Sequence, residues 1–207
     1  METRRVRALI VAACLLGPAA GASAQHVEVA PFVGYRFGGG FFELVTGQPV
    51  DLDGARSFGV VVDVPVSNGM QVEGLFTHQR ADIVIPVLDL QQPTRWQISV
   101  DHWQGGGLQE YGHGRVRPFL TGTLGLTRYA ATDDSEIRFT VAAGGGVKLF
   151  PSRHVGVRLD GRVFATFVDA DARFVACSAT AGGCLLAFNA DVVWQADFTA
   201  GVVFRFD

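Results

Sequence analysis

The residues with the means to do chemistry are few and scattered. Five histidines, His26, His78, His102, His113 and His154, fall in no His-Glu-x-x-His pattern, and no Gly-x-Ser-x-Gly elbow, His-x-Ser pair or Ser-His-Asp spacing accompanies them. His78 and His102 deserve a check as acid–base groups, but no nucleophile–base pair is visible, so the expectation is a protein without catalysis. Asp133, Asp134 and Glu136 offer oxygen ligands to a divalent cation, or simply a solvated acidic loop; their spacing matches no calcium loop. The glycine runs contain neither Gly-x-Gly-x-x-Gly nor a Walker pattern, and read as places for bends and close strand approach. No cofactor and no metal site is expected.

A second set of charged residues is more informative, because each sits on the polar side of an alternating stretch. Glu73, Asp101, Asp160 and Asp197 oppose Arg36, Arg117, Arg158 and Arg162. Enclosed charges must pair, since an unpaired one costs several kcal/mol. The set therefore reads as a lumen network of Glu73, Asp101, Arg117, Arg158, Asp160, Arg162 and Asp197. Arg158, Asp160 and Arg162 share one stretch beside that of Asp197, and the four are expected to pair. Such charges would line a pore or plug a closed interior. A small barrel has an interior just wide enough for side chains, which favours the plug.

The elements that must hold these residues are strands. In the last stretch Trp194, Ala196, Phe198, Ala200, Val202, Phe204 and Phe206 alternate with Gln195, Asp197, Thr199, Gly201, Val203 and Arg205. A period of two with one apolar face is the signature of a strand. Seven earlier stretches behave alike, at about 27–37, 57–66, 70–80, 95–111, 116–129, 138–150 and 154–168. Within 95–111 the phase is open. Trp96, Ile98 and Val100 read as the apolar face against Gln97, Ser99 and Asp101, which drops His102 onto the apolar face unless Gly105-Gly106-Gly107 supplies a bulge. Short turns (Ser67-Asn68-Gly69, Gly112-His113-Gly114, Pro151-Ser152-Arg153) alternate with the longer connections 38–55, 81–94, 130–137 and 169–191. The layout is an all-β, eight-stranded antiparallel up-and-down barrel, with turns at one end and loops at the other. Alternation also suits a soluble barrel of opposite sense. Aromatics bracketing the apolar face at strand ends, Tyr35, Phe37, Trp96, Tyr129, Phe150, Phe167, Trp194 and Phe206, favour a transmembrane barrel.

The N-terminus reads as an export signal. Arg4, Arg5 and Arg7 precede an apolar run at 8–16, and Ala22-Ser23-Ala24 precedes Gln25. Residues 1–24 are expected to be a signal peptide cleaved between Ala24 and Gln25, with 25–207 forming the barrel domain. A lipobox, Val11-Ala12-Ala13-Cys14, is the rival reading. The mature chain keeps 14 basic and 19 acidic residues, a net charge of −5, with no basic cluster for nucleic acid. Its two cysteines, Cys177 and Cys184, lie close together between two strands of an exported chain, and a local disulfide is expected.

The stretches Pro31-Phe32-Val33-Gly34-Tyr35-Arg36-Phe37-Gly38-Gly39, Val116-Arg117-Pro118-Phe119, Gly144-Gly145-Gly146-Val147-Lys148 and Phe204-Arg205-Phe206 resemble the small eight-stranded outer-membrane β-barrel proteins of Gram-negative bacteria, the group of the OmpA transmembrane domain and OmpX. Members usually end on the aromatic residue; here Asp207 follows it. The resemblance implies residence in the cell outer membrane, outer-membrane lipid and the barrel-assembly machinery as partners, and a monomer. The expected role is structural or a surface interaction through the extracellular loops, with a ligand of unidentified chemistry. The alternative is a narrow porin-like channel for small or apolar solutes. Residues 83–88, apolar within a long connection, either extend two strands into a binding edge or pack over the barrel mouth.

Overall fold

The computed structural model describes residues 26–43, 49–51, 54–85, 94–112, 114–131, 135–168, 173–177, 184–187 and 192–206. The expected signal peptide and the Ala24–Gln25 bond lie outside them. The described residues form twelve strands: β1 Val27–Gly38, β2 Gly40–Glu43, β3 Pro49–Asp51, β4 Ala55–Ser67, β5 Met70–Ile85, β6 Thr94–Glu110, β7 Val116–Ala130, β8 Ser135–Leu149, β9 Val155–Phe167, β10 Arg173–Cys177, β11 Cys184–Ala187 and β12 Val192–Phe206. Eight of them close a barrel in the order β1-β12-β9-β8-β7-β6-β5-β4, every neighbouring pair antiparallel. Closure is made by β1 on β12, from Val27↔Phe206 to Gly38↔Gln195, which leaves no free barrel edge.

The turns follow local chemistry. Asn68 and Gly69 both have positive φ, 46° and 80°, as a two-residue hairpin whose twist matches its strands requires. This turn, the one at 111–115, the one at 150–154 and the outer ends of β1 and β12 define a turn end. The long connections define a loop end.

At the loop end the structure adds elements that alternation did not predict. β2, β3, β10 and β11, from the connections 38–55 and 169–191, form a separate sheet in the order β10-β11-β2-β3. The connection at 81–94 is partly strand: β5 and β6 stay paired up to Ile85↔Thr94, so the hairpin is longer than the barrel strands around it. Residues 86–88 lie outside the described set.

The barrel is apolar outside and charged inside. Val33, Leu120, Leu124, Val163 and Val202 are exposed on its wall, while Glu28, Arg36, Glu73, Lys148 and Asp197 are 0–2 % exposed within. This sense is the reverse of a soluble barrel. With aromatics exposed at the loop end (Tyr35, Phe58, Trp103, Phe139, Trp194) and at the turn end (Tyr111, Phe204, Phe206), it is the surface of a membrane-spanning barrel.

Candidate functional site

The lumen is built in layers, because each strand contributes every second residue to it. At the turn end, Arg205 and Arg117 place their guanidinium carbons 4.1 and 4.9 Å from the ring centre of Phe150. Arg205 binds Glu28, and Arg117 donates to Glu110 at 3.0 Å. Above them Lys148 Nζ, fully buried, donates to Glu28 (2.6 Å), Asp63 (2.8 Å) and the Gln71 side-chain oxygen Oε1 (2.8 Å). Arg158 holds Asp63 at 2.7 Å, Glu73 at 2.6 Å and Asp160 at 2.8 Å, with its guanidinium 4.4 Å from the Phe119 ring centre. Arg162 donates to Glu73 and Asp160, both at 2.9 Å.

Several of these pairs cross the barrel. β8 stands opposite β4 in the ring of strands, and β9 opposite β5. Lys148–Asp63, Arg158–Glu73 and Arg162–Glu73 thus tie opposite walls. The interior is no wider than two side chains meeting.

An apolar layer of Phe32, Val61, Leu75, Ala142 and Phe164 follows. Inward glycines make room for these rings and for Phe119. A Cβ at Gly59 would meet Phe32 Cζ at 2.7 Å, and one at Gly146 would meet Phe119 Cζ at 2.8 Å. A void between this layer and the charged residues Asp160, Arg162 and Asp197 measures about 10 Å³, hardly enough for one water. Beyond it Arg36 donates through Nη2 to Asp197 (2.7 Å) and Thr77 (2.8 Å), and Ser57 donates to the other Asp197 oxygen at 2.8 Å. His102 stacks on Phe164 with ring centres 4.3 Å apart, and its Nδ1 lies 2.6 Å from the Thr127 hydroxyl. Thr127, Thr140 and Thr166 continue as a hydroxyl chain. Ala81, Ile98, Val100, Val168 and Val193 then cap the loop end, each 3 % exposed or less.

The inward charges balance. Among the described residues the inward cations are Arg36, Arg117, Arg138, Lys148, Arg158, Arg162 and Arg205, and the inward anions are Glu28, Asp63, Glu73, Glu110, Glu136, Asp160 and Asp197. Each has an opposite partner within ion-pair distance. The arrangement is a cross-linked plug with an apolar layer in it, and the hydroxyl that lies beside an imidazole, Thr127 next to His102, is sealed inside it, both residues being fully buried.

Three sequence expectations are corrected. Tyr129 and Phe150, expected among the aromatics of the lipid-facing side, are buried inward. Asp101 is not in the lumen. The register is regular through Gly105-Gly106-Gly107, with no bulge, and puts Ile98, Val100, His102 and Gln104 inward, Ser99, Asp101 and Trp103 outward. The apolar residues of this stretch face in because they cap the lumen, and Asp101 instead pairs on the outer wall with His78, Nδ1 to Oδ1, at 2.5 Å. Asp197 does enter the lumen, directly opposite Arg162 in the register, but its ion pair is with Arg36 and not with the Arg158–Asp160–Arg162 cluster. Glu73, Arg117, Arg158, Asp160 and Arg162 are where the alternation placed them. Glu28, Asp63, Glu110 and Lys148 were missed as network members, although each occupies an inward position of its strand's alternation.

The remaining expectations rest on the loop end. Glu136 binds Arg138, while Asp133 and Asp134 lie outside the described residues, which contain no cluster of metal-ligating groups. Cys177 and Cys184 are register partners across β10 and β11.

No family model and no curated protein matches the chain in sequence. Solved structures do match it in shape. Neisserial surface protein A superposes with a TM-score of 0.55 at 13% identity, over 90% of this chain and 99% of that one. A major outer membrane protein from Thermus thermophilus gives 0.53 at 14% identity, over 88% and 100%. At such identities the likeness concerns the fold, and the fold is that of the small eight-stranded outer-membrane β-barrels.

Proposed function

We propose that the protein is a non-conducting, non-catalytic barrel of the bacterial outer membrane that acts through the structure carried at its loop end. The observation that carries this reading is the lumen. Among the described residues seven inward cations and seven inward anions pair among themselves, some across the full width of the barrel, around an apolar layer. Such an interior supports a rigid scaffold rather than a path for solutes. A rigid barrel that presents large loops is a common basis for binding. The four-stranded sheet carries Phe41 and Phe42 in its sequence, and the extended β5–β6 hairpin carries Ile83, Val84 and Ile85. Apolar residues in such segments favour a protein or lipid contact. Outer-membrane lipid and the barrel-assembly machinery are the partners every such barrel needs, and the monomer is its simplest state.

The test is deletion of residues 83–88 from the full chain. Folding, read as heat-modifiable migration on gels, should be retained, and a binding or membrane-integrity phenotype of the parent strain should be lost. Retention of every such phenotype by a folded deletion would remove the loop-end reading.

A further inference from the structure

The outer wall is as unbalanced as the lumen is balanced. Among the strand residues whose side chains are described, the outward acidic and basic residues are Arg56, His78, Arg80, Asp101 and Arg128. All lie toward the loop end, and all belong to the contiguous strands β4, β5, β6 and β7. The opposite sector, β8, β9, β12 and β1, carries Phe139, Phe167, Trp194, Phe198 and Tyr35 there. The single carboxylate, Asp101, is taken by His78 at 2.5 Å. Arg56, Arg80 and Arg128 are exposed and make no hydrogen bond or ion pair among the described residues. The register sets His78, Asp101 and Arg128 side by side in one row, with Arg80 one pleat closer to the loops.

Directly toward the turn end, an apolar trough of about 440 Å³ opens on the same wall. Phe76 and Trp103, ring centres 5.7 Å apart, and Leu126 form its upper edge, two residues along their strands from His78, Asp101 and Arg128 respectively. Val60, Val62 and Leu124 flank it. Outward glycines leave it open, although the fold has space for more: a Cβ at Gly105 would meet nothing within 4 Å, and one at Gly74 would meet only the Val62 carbonyl oxygen at 3.9 Å.

An unpaired guanidinium at a membrane interface attracts the anion available there, and on a lipid-facing wall that anion is a lipid head group. We propose that this sector is a binding site for one phosphate-bearing anionic membrane lipid. Its phosphate sits on Arg80 and Arg128, and an acyl chain lies in the trough against Trp103. His78 and Asp101, joined to each other, form the floor of the head-group site and leave the two arginines to the phosphate. A larger groove of about 870 Å³ between Tyr35, Phe58, Leu159 and Phe198 has Arg56 alone at its head and offers less charge to a phosphate.

The inference rests on the membrane-spanning reading above, and the test separates the two. The full mature chain carrying Trp96→Phe and Trp194→Phe keeps Trp103 as its only tryptophan. It is reconstituted into phosphatidylcholine vesicles containing a small fraction of brominated-chain phosphatidylglycerol or, separately, brominated-chain phosphatidylcholine. Trp103 fluorescence should be quenched with a preference of roughly 30-fold for the anionic lipid, the size expected of two arginines near an anionic surface. Arg80→Ala with Arg128→Ala should bring that preference close to one. Gly105→Leu should weaken quenching by either lipid while heat-modifiable migration stays normal. Equal quenching by both lipids, or a preference that survives loss of both arginines, would overturn the site while leaving the membrane reading intact. No quenching by either lipid would overturn the outward assignment of Trp103 and the site with it.

Discussion

Replacing Asp197 by alanine probes the plug at its simplest joint. Asp197 is 2 % exposed; one carboxylate oxygen takes two bonds from Arg36, at 3.1 Å from Nε and 2.7 Å from Nη2, and the other takes the Ser57 hydroxyl at 2.8 Å. Asp197→Ala leaves a fully buried guanidinium with Thr77 as its remaining side-chain acceptor. Removing one partner of a buried pair costs about 3–5 kcal/mol, because the other charge stays behind. The orphaned Ser57 hydroxyl adds ~1 kcal/mol. Arg36→Met in the same chain removes the stranded charge, so the double variant should regain at least ~2 kcal/mol over the single one. Reversible denaturant unfolding in lipid vesicles, followed by tryptophan fluorescence, measures both. Asp134→Ala, within the acidic connection at 132–136, should stay within about 0.5 kcal/mol of the parent. If Asp197→Ala matches Asp134→Ala, or if the double variant is simply the sum of its parts, the pairing is not what holds this layer.

Cys177 and Cys184 should form a disulfide: facing residues of an antiparallel pair lie about 4.5–5.5 Å apart at Cα, within the range a disulfide spans. It should add about 2–3 kcal/mol of local order, and two alkylatable thiols in protein extracted without reductant would refute it. Intact mass of the membrane-extracted protein should begin at Gln25, and a diacylated chain beginning at Cys14 would contradict the signal assignment. Gly59→Val should destabilise by about 3 kcal/mol or more, since its Cβ would stand 2.1 Å from the Phe76 backbone oxygen and 2.7 Å from the Phe32 ring, whereas Gly105→Ala on the open wall should cost little. Equal unfolding midpoints for those two glycine variants would invert the inside–outside assignment.

Much of the barrel was legible because membrane strands obey a period of two over their whole length. Trp194 to Phe206 shows both faces without a break, and Asn68-Gly69 names its own turn. The lumen was legible one strand at a time. Arg158, Asp160 and Arg162 are inward by alternation, but Lys148 meets Glu28 and Asp63 only because the ring of strands brings β8 opposite β4. That distance is invisible to local periodicity. The phase of β6 was misread for a physical reason. Near the loops the lumen turns apolar and the outer wall turns polar, so Ile98 and Asp101 exchange the sides that hydropathy alone would give them. β2 and β11 were missed because adjacent apolar residues, Phe41-Phe42 and Leu185-Leu186, carry no alternation to read.

The most direct test of the shut lumen is single-channel recording from the purified mature protein in a planar bilayer. The paired charges and the apolar layer predict a silent membrane, with no steady unitary steps over hours of recording. Steady, reproducible conductance steps from protein shown to be folded by heat-modifiable migration would contradict the plug and put a narrow channel in its place.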